Sequence, residues 1–463
     1  IAGAKQERMR YMKDIAYIYP YLMTEDVISF AISQNSELRY YNNKSYQFFN
    51  DKIKDTKIIV TKNFSKIFRD NFDKKIYDIN ILERIIDIKS KLDSEKKLLK
   101  KYEKLRAFEV AKINAFRNAD PNFITDKRFE ILPLQFVFPQ YKLIEYINVN
   151  VEYLECVFSS LSDDDLRFYN AIFRNYLIVY ANISKAKANE EFVSTINLFE
   201  KSGVLKQILD KKSSDGWFDT PHYNLFSSKT GRPYIISGTN WQQLSKKHRD
   251  VIKSQFENGK IVEFDYNGCE IRTAFYVSGN INVANIQSDV YEYILNYLVE
   301  ELKIKEIERK KIKNFVILFL FGASKNTLAR LIKLSLEETE RVYKTLNKLF
   351  DIQKLNELAL KTKSKTGILN FFGRHIDTDE QKTETLIQNY IQSTAIDICH
   401  SGYASLVKYI VNNKLNTKVL YTKHDAIKLD VHPDDMNYLD KFKELLQKTE
   451  IGNVNFLIKT KID

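Results

Sequence analysis

The chain has 463 residues, 44% of them hydrophobic, and a formal charge of +12 from 72 Lys and Arg against 60 Asp and Glu. That length exceeds one compact core and points to about two to four domains or subdomains, and 13 Gly and 7 Pro leave little room for low-complexity linkers. The three cysteines, Cys156, Cys269 and Cys399, are odd in number and widely spaced, which argues against a disulfide framework or a cysteine zinc motif and implies a reduced, cytoplasmic compartment. No apolar run approaches the roughly 18 residues of a membrane span. No signal peptide is visible, and the first residue is Ile1, so the chain is expected to begin inside a longer product. A basic balance of this size suits a polyanionic partner, although abundant Lys, Asn, Ile and Tyr also fit an AT-rich genome.

From Ile1 to about residue 80 the pattern is mixed. Val27 to Ile32 and Glu37 to Tyr41 read as paired strands across a polar turn, and Lys57 to Thr61 reads as a third strand followed by a helix. From about 81 to 212 it turns helical, beginning at Leu82, Ile85, Ile86 and Ile88. Lys91 to Arg106 sets Lys96, Lys97, Lys100, Lys101 and Lys104 around Leu98, Leu99 and Leu105, an amphipathic helix with a basic face. Such a face is usually only solvated, and a grip on nucleic acid is the sharper alternative. Asp120-Pro121-Asn122 breaks the pattern, and further helices run through Leu166 to Ile183 and Glu190 to Leu209. From Ser213 onward strands and helices alternate.

Three segments in this last region carry chemistry. Ile261 to Phe264 is short, apolar and strand-like, and Glu270 to Val277 suits a helix, so Asp265 falls at a strand-to-helix junction. A carboxylate there meets a metal or, more plainly, caps the helix. Arg309, Lys313, Ile317 and Phe321 recur every four residues and line one side of a helix that Gly322 stops. Two cations followed by flat or apolar groups would place phosphates at one end and a base at the other. A buried helix with basic residues at its mouth, or a buried strand, is the plain alternative. His424-Asp425 lies between two alternating runs, Val419 to Thr422 and Ile427 to Val431, as the tip of a hairpin. A His-Asp pair in a turn is by itself more often structural than catalytic. Thr230 to Pro233, Asn240 to Gln243 and Gln392 to Asp397 add amides and a guanidinium of the kind that contacts phosphates, sugars or minor-groove edges.

In this order the segments resemble the family A DNA polymerases, from about Tyr223 to Val431. Asp265 to Arg272 is similar to that family's first palm motif, Arg309 to Gly322 to its fingers helix, and His424-Asp425 to its second palm motif. Tyr223 to Pro233 is most similar to the bacteriophage branch. The resemblance implies an α+β right-hand polymerase: a palm with an antiparallel sheet, helical fingers and thumb, and a small N-terminal α/β region. The implied boundaries are 1–80 for that small region, 81–212 for thumb and connection, 213–290 and 376–463 for the palm, and 291–375 for the fingers.

The implied activity is template-directed extension of a primer 3′-OH with dNTPs, in the host cytoplasm if the source is viral. Asp265 and Asp425 would bind two Mg²⁺ ions, with the Tyr266 carbonyl as a further ligand. Arg309 and Lys313 would neutralise the triphosphate, and Lys313 would also serve as a proton donor. Ile317 and Phe321 would pack near the base, and Glu270 would crowd a ribose 2′-OH. Arg232, Asn240, Gln243, Gln392 and His424 would hold primer-template DNA, and replisome or processivity proteins would be further partners.

Three residues depart from the pattern. Phe321 lacks the hydroxyl that in the family pairs with the Glu matching Glu270, Ile317 replaces an aromatic, and Ala426 replaces a frequent Glu. These departures keep two alternatives open, a catalytically weak or silent DNA-binding scaffold and a single-subunit RNA polymerase; Glu270 argues against the latter. The first region resembles the family's 3′–5′ exonuclease domain, but Ile15 to Pro20 carries no carboxylate. Without acidic ligands a two-metal nuclease site cannot form, and a reduced, inactive remnant, or else an unrelated small domain, is expected.

Overall fold

The computed structural model describes residues 15–23, 27–35, 37–61, 74–79, 81–82, 140–196, 203–225, 228–303, 308–363, 367–377, 383–449, 451–452 and 454–463. The helix expected after Thr61, the residues Ile85, Ile86 and Ile88, the basic helix Lys91 to Arg106, the break at Asp120 to Asn122, and Phe226 and Ser227 lie outside the described residues. The chain forms two compact units, Ile1–Arg174 and Asn175–Asp463. No helix among the described residues is long and apolar enough to cross a membrane.

The first unit is built on β1 (Ile15–Met23), β2 (Val27–Gln34), β3 (Glu37–Ser45), β4 (Ile58–Thr61) and β5 (Lys75–Asp78), with α1 (Tyr46–Ile53) after β3. Strand order is β3-β2-β1-β4-β5. The β1–β2–β3 part is antiparallel and the β1–β4–β5 part parallel. The two strands expected as a pair face each other, Phe30 opposite Tyr41 and Ile32 opposite Arg39, and the chain reverses at Asn35 with φ +53°. Asparagine tolerates that left-handed backbone better than most residues. Helix α2 (Gln140–Ser160) packs on β1, β2 and β4. Its Tyr146 hydroxyl accepts from Tyr19 at 3.0 Å and its Glu155 accepts from Ser33 at 2.8 Å. The helix expected from Leu166 is observed as α3 (Asp163–Phe168), a π-helical turn at Tyr169–Phe173, and α4 (Arg174–Ala181).

The second unit opens with α4 from Asn175 onward and continues with β6 (Ala186–Ala188), α5 (Glu190–Thr195), α6 (Gly203–Leu209), β7 (Trp217–Phe218), β8 (His222–Asn224), β9 (Tyr234–Ser237) and β10 (Ile252–Lys253). Strands β10, β6 and β7 form a small sheet, and β8 and β9 pair separately. Alternation along the small sheet sends Ala186, Ala188, Phe218 and Ile252 into a core with Trp241, Ile261, Leu420 and Tyr421.

Then come β11 (Lys260–Tyr266), α7 (Cys269–Ser278), α8 (Ile281–Ala284), α9 (Val290–Leu302), α10 (Arg309–Leu320), α11 (Lys325–Ile332), α12 (Leu336–Phe350), α13 (Ile352–Lys361), β12 (Gly367–Leu369) and β13 (His375–Asp377). The chain ends with α14 (Thr383–Asn412), β14 (Lys418–Lys423), β15 (Ala426–Val431), α15 (Leu439–Gln447) and β16 (Ile458–Ile462). The main sheet has the order β14-β15-β11-β16 and is antiparallel throughout. Helix α7 packs on α12, α13 and α14, and every one of its residues except Glu270 is buried. That leaves Glu270 as the position from which α7 can act outside the core.

Candidate active site

Strand β11 delivers Asp265 near its end, in register opposite Ala426, so Asp425 is the next residue along the partner strand. Tyr266 N–H donates to the Asp425 carbonyl at 3.0 Å and ties the two ends together. The turn into α7 is made by Gly268 at φ +66°, where an added Cβ would stand 2.6 Å from Val290 Cγ1. Gly268 is the helix N-cap, so Asp265 does not cap α7. Arg272, fully buried, fixes the far side of this turn. Its guanidinium donates to the carbonyls of Asn267 at 2.6 Å, Ala284 at 2.9 Å, Ile286 at 2.7 Å and Ser288 at 2.6 Å.

The second carboxylate sits in the two-residue turn His424-Asp425 between β14 and β15, where Lys423 pairs with Ala426. His424 takes φ +55°. Burial, then the nearby Asp425 and Glu263 carboxylates, push the Asp265 carboxyl up to about 7, against the pull of Lys313 and Arg249. Burial also raises Asp425, opposed by its own backbone N–H and by His424, Arg232 and Lys313. Removing two like charges from water is costly, so this pair favours a proton or a cation.

Helix α10 carries the expected cations. Ile312, Phe315, Val316, Phe319 and Leu320 are buried, whereas Arg309, Lys313, Ile317 and Phe321 lie on the less buried side. Phe321 is the C-cap, and Gly322 follows at φ +75°. Lys313 acts electrostatically on both Asp265 and Asp425. Arg309 Cζ and Lys313 Nζ both stand 5.5 Å from the Tyr291 ring centre, within cation–π range.

Arg309 is also held by Asp289, its Nε donating at 3.2 Å, and Asp289 further accepts from Asn267 and Lys459, each at 3.0 Å. Burial pushes the Asp289 carboxyl up, but these donors outweigh it and hold the group well below the usual range. Neither Tyr291 nor Asp289 stood out in the sequence. The one local signal was Asp289 followed three residues on by Glu292, an N-cap pattern, and Asp289 does cap α9 through the Tyr291 and Glu292 amides.

Arg232, from the turn Thr230 to Pro233, forms an ion pair with Glu270. Burial and then the Asp425 field act on Glu270 upward, with Arg232 opposing. Arg232 and His424 also line one small pocket with Tyr180, Gln242, Ile396, His400 and Thr422. Gln392 is one turn before Ile396 on α14 and shares its face. Gln243 is exposed and Asn240 half-buried; it is the neighbouring Gln242 that faces the pocket, its amide bonded to Ile235 N–H and the Pro233 carbonyl.

Behind the pocket lies a network without a local sequence signal. The His400 ring stacks on Tyr176 at 3.8 Å, its Nδ1 is 2.9 Å from the Ile396 carbonyl, and Nε2 is 2.6 Å from the Tyr180 hydroxyl. Burial lowers His400 to about 3, so the ring is neutral, donating from Nδ1 and accepting at Nε2. Tyr176 and Asn370 donate to Asp397, each at 2.7 Å, and Arg374 Nη2 reaches the same carboxylate at 2.6 Å.

The backbone is similar to that of the POL domain of Pol1 from M. smegmatis, solved in complex with DNA primer-template and dNTP. The TM-score is 0.64 at 13% identity, covering 99% of this chain and 97% of that one. At that identity the likeness establishes the α+β right-hand polymerase fold. The family model for DNA polymerase family A matches residues 201–463, the span that contains both carboxylates, the Arg309 helix and the Arg232–Glu270 pair. By that match the chain is a member of DNA polymerase family A.

Proposed function

We propose that the chain extends a primer 3′-OH with dNTPs under the direction of a DNA template, and that Asp265 and Asp425 hold two Mg²⁺ ions for this reaction. The observation that carries the metal reading is the pair of half-buried carboxyls at adjoining strand ends, both held above their ordinary range. The donors are oxygens, and among the described residues no three His, Cys, Asp or Glu side chains form a closed cage. Mg²⁺ suits such a site, because it binds through one or two carboxylates and completes its shell with water and substrate phosphate. We assign the Tyr266 carbonyl as the further protein oxygen. When bound, the ions would lower the pKa of the primer 3′-OH and offset charge on the triphosphate and leaving pyrophosphate.

The side chains around that centre take distinct roles. Lys313, whose charge acts on both aspartates, stabilises the triphosphate as negative charge develops and gives a proton to the pyrophosphate. Arg309 binds the same phosphates, oriented by Asp289 and stacked over Tyr291. Glu270 crowds a ribose 2′-OH, and its partner Arg232 positions it in a chain whose Phe321 has no hydroxyl to do so. Phe321 and Ile317 pack near the base. Arg232, His424, Gln392, Asn240 and Gln243 hold the primer terminus and template. The strand β1, Ile-Ala-Tyr-Ile-Tyr-Pro-Tyr-Leu-Met, carries no carboxylate, and we assign no proofreading activity to the first unit.

Chelation tests the metal assignment. Primer extension with dNTPs should stop in excess EDTA and return on adding Mg²⁺, while anisotropy shows the DNA still bound. Extension that survives chelation would remove the two-metal reading.

A further inference from the structure

The small sheet β10-β6-β7 has a solvent face that the polymerase site does not use. Its inner face is apolar and belongs to the core around Trp241. Because successive side chains alternate, the other face collects Lys187, Trp217 and Lys253. Register places them in one row, Lys253 opposite Lys187 and Lys187 opposite Trp217. The Lys187 ammonium stands 5.8 Å from the Trp217 ring centre, and the indole is only partly buried. Beside this row is an open pocket of about 350 Å³ lined by Ser184, Lys185, Asp215, Trp217, Gln255 and Lys418.

That pocket is separate from the carboxylate centre. Lys418 begins β14 and Lys423 ends it, and five residues of extended strand span about 17 Å. The His424-Asp425 turn lies beyond that far end.

We propose that this face is a second DNA-binding site, for single-stranded DNA, with an unpaired base against Trp217 and the adjoining phosphates on Lys185 and Lys418. A half-covered indole offers a stacking surface to a base whose own face is free, which a duplex does not present. Lysines flanking an aromatic are the combination that tracks a single strand without reading its sequence. The pocket has room for about one nucleotide. Asp215, the one carboxylate among the lining residues, accepts from Ser213, and the Lys185 charge acts on it. Gln255 donates its amide to Asp430 at 3.1 Å, which fixes the side chain at the pocket wall. Lys187 and Lys253 extend the positive row along the sheet. The site does not depend on the metal assignment, and a chain carrying Asp265→Asn and Asp425→Asn should retain it.

The protein's own fluorescence tests this. The chain has two tryptophans; Trp241 is 1% exposed and stacks on Tyr421, so Trp217 is the one a strand can reach. With the polymerase site filled by a saturating blunt hairpin duplex, (dT)20 should quench the wild-type signal and leave Trp217→Phe, which keeps Trp241, unquenched. In anisotropy with labelled (dT)20, Trp217→Ala and the double charge reversal Lys185→Glu/Lys418→Glu should each weaken binding on the order of 10-fold. The charge reversal should also lower the salt slope by about 1.4, for two phosphate contacts on a single strand. Incorporation on a template without a long single-stranded overhang should be unchanged in both. Wild-type affinity in both variants, loss of all (dT)20 binding once the hairpin is present, or displacement of (dT)20 by a poly-glutamate peptide as well as by unlabelled (dT)20 would each overturn the proposal. If Trp217→Ala proves misfolded, the charge reversal of exposed Lys185 and strand-end Lys418 decides.

Discussion

Two sheets in this chain begin from similar material and end differently. The first unit has a mixed five-stranded sheet whose central β1 is wholly uncharged. The second has an antiparallel four-stranded sheet whose two middle strands, β15 and β11, end beside Asp425 and Asp265. Both contain a hairpin turned by a residue of positive φ, and both pack against helices. What separates them is where charge is left without water. In the first sheet, buried hydroxyls reach partners on α2, as with Tyr19 and Tyr146 or Ser33 and Glu155. In the second, the Asp425 charge acts on Asp265 at the adjoining strand ends, and Lys313 opposes the upward shift of both carboxyls. A sheet is a scaffold; an unresolved charge at adjoining strand ends makes a site.

The contrast is broken most severely at those ends. Asp265→Asn or Asp425→Asn should each lower single-nucleotide incorporation by about 10³-fold or more with primer-template affinity largely kept. The double variant should be little worse than either single, because residues that act as a unit are not additive. Single variants within a few-fold of wild type in a rapid-quench assay would remove the second sheet's claim to the chemistry.

A smaller effect is expected at the rim. Glu270→Ala should raise ribonucleotide relative to deoxyribonucleotide incorporation by roughly 10-fold or more. Arg232→Gln should move the same ratio in the same direction, and Phe321→Tyr added to Arg232→Gln should restore part of it. An unchanged ratio in both single variants would deny Glu270 its steric role and Arg232 its hold on it.

The His400 network gives a measurable pH dependence. His400 is pushed down to about 3 in the folded chain by burial from about 6.5 when unfolded. The unfolded state therefore binds the extra proton first. The stability linked to neutral His400 is complete above pH 6.5 and is lost, at about 1.4 kcal/mol per pH unit, as pH falls from there toward 3. Urea midpoints of wild type should drop more steeply between pH 6.5 and 5 than those of His400→Gln. Parallel slopes would show that the ring is not held neutral.

At the small end, the first sheet predicts no effect at all. Wild type incubated with 3′-labelled duplex, Mg²⁺ and no dNTPs should show no trimming. Steady trimming would give the first sheet an activity of its own.

Much of the palm was legible in the sequence, because its signals are local. Period-two alternation flanked His424-Asp425 and described a hairpin, and the four-residue recurrence from Arg309 to Phe321 described one helix face. The order of those segments then named the family. The Arg232–Glu270 and Arg309–Asp289 pairs were not legible, since each joins residues whose neighbourhood only tertiary folding creates. His400 was hidden for another reason: the middle of α14 is buried almost all round, so no amphipathic asymmetry marks any one side of it. Nor did the sequence disclose that β4 and β5 run parallel to β1, because strand order depends on the crossover and not on the strands.

The two hairpins turn at φ +53° and φ +55°, yet one uses Asn35 and the other His424. Glycine would fit either position without steric cost, and a side chain in left-handed backbone costs roughly 1–2 kcal/mol. His424→Gly should therefore fold at least as well as wild type while losing the imidazole that lines the pocket with Arg232. At this one turn the residue that folding favours differs from the one that the role proposed for His424 requires, and a screen for thermal stability alone would select against that role.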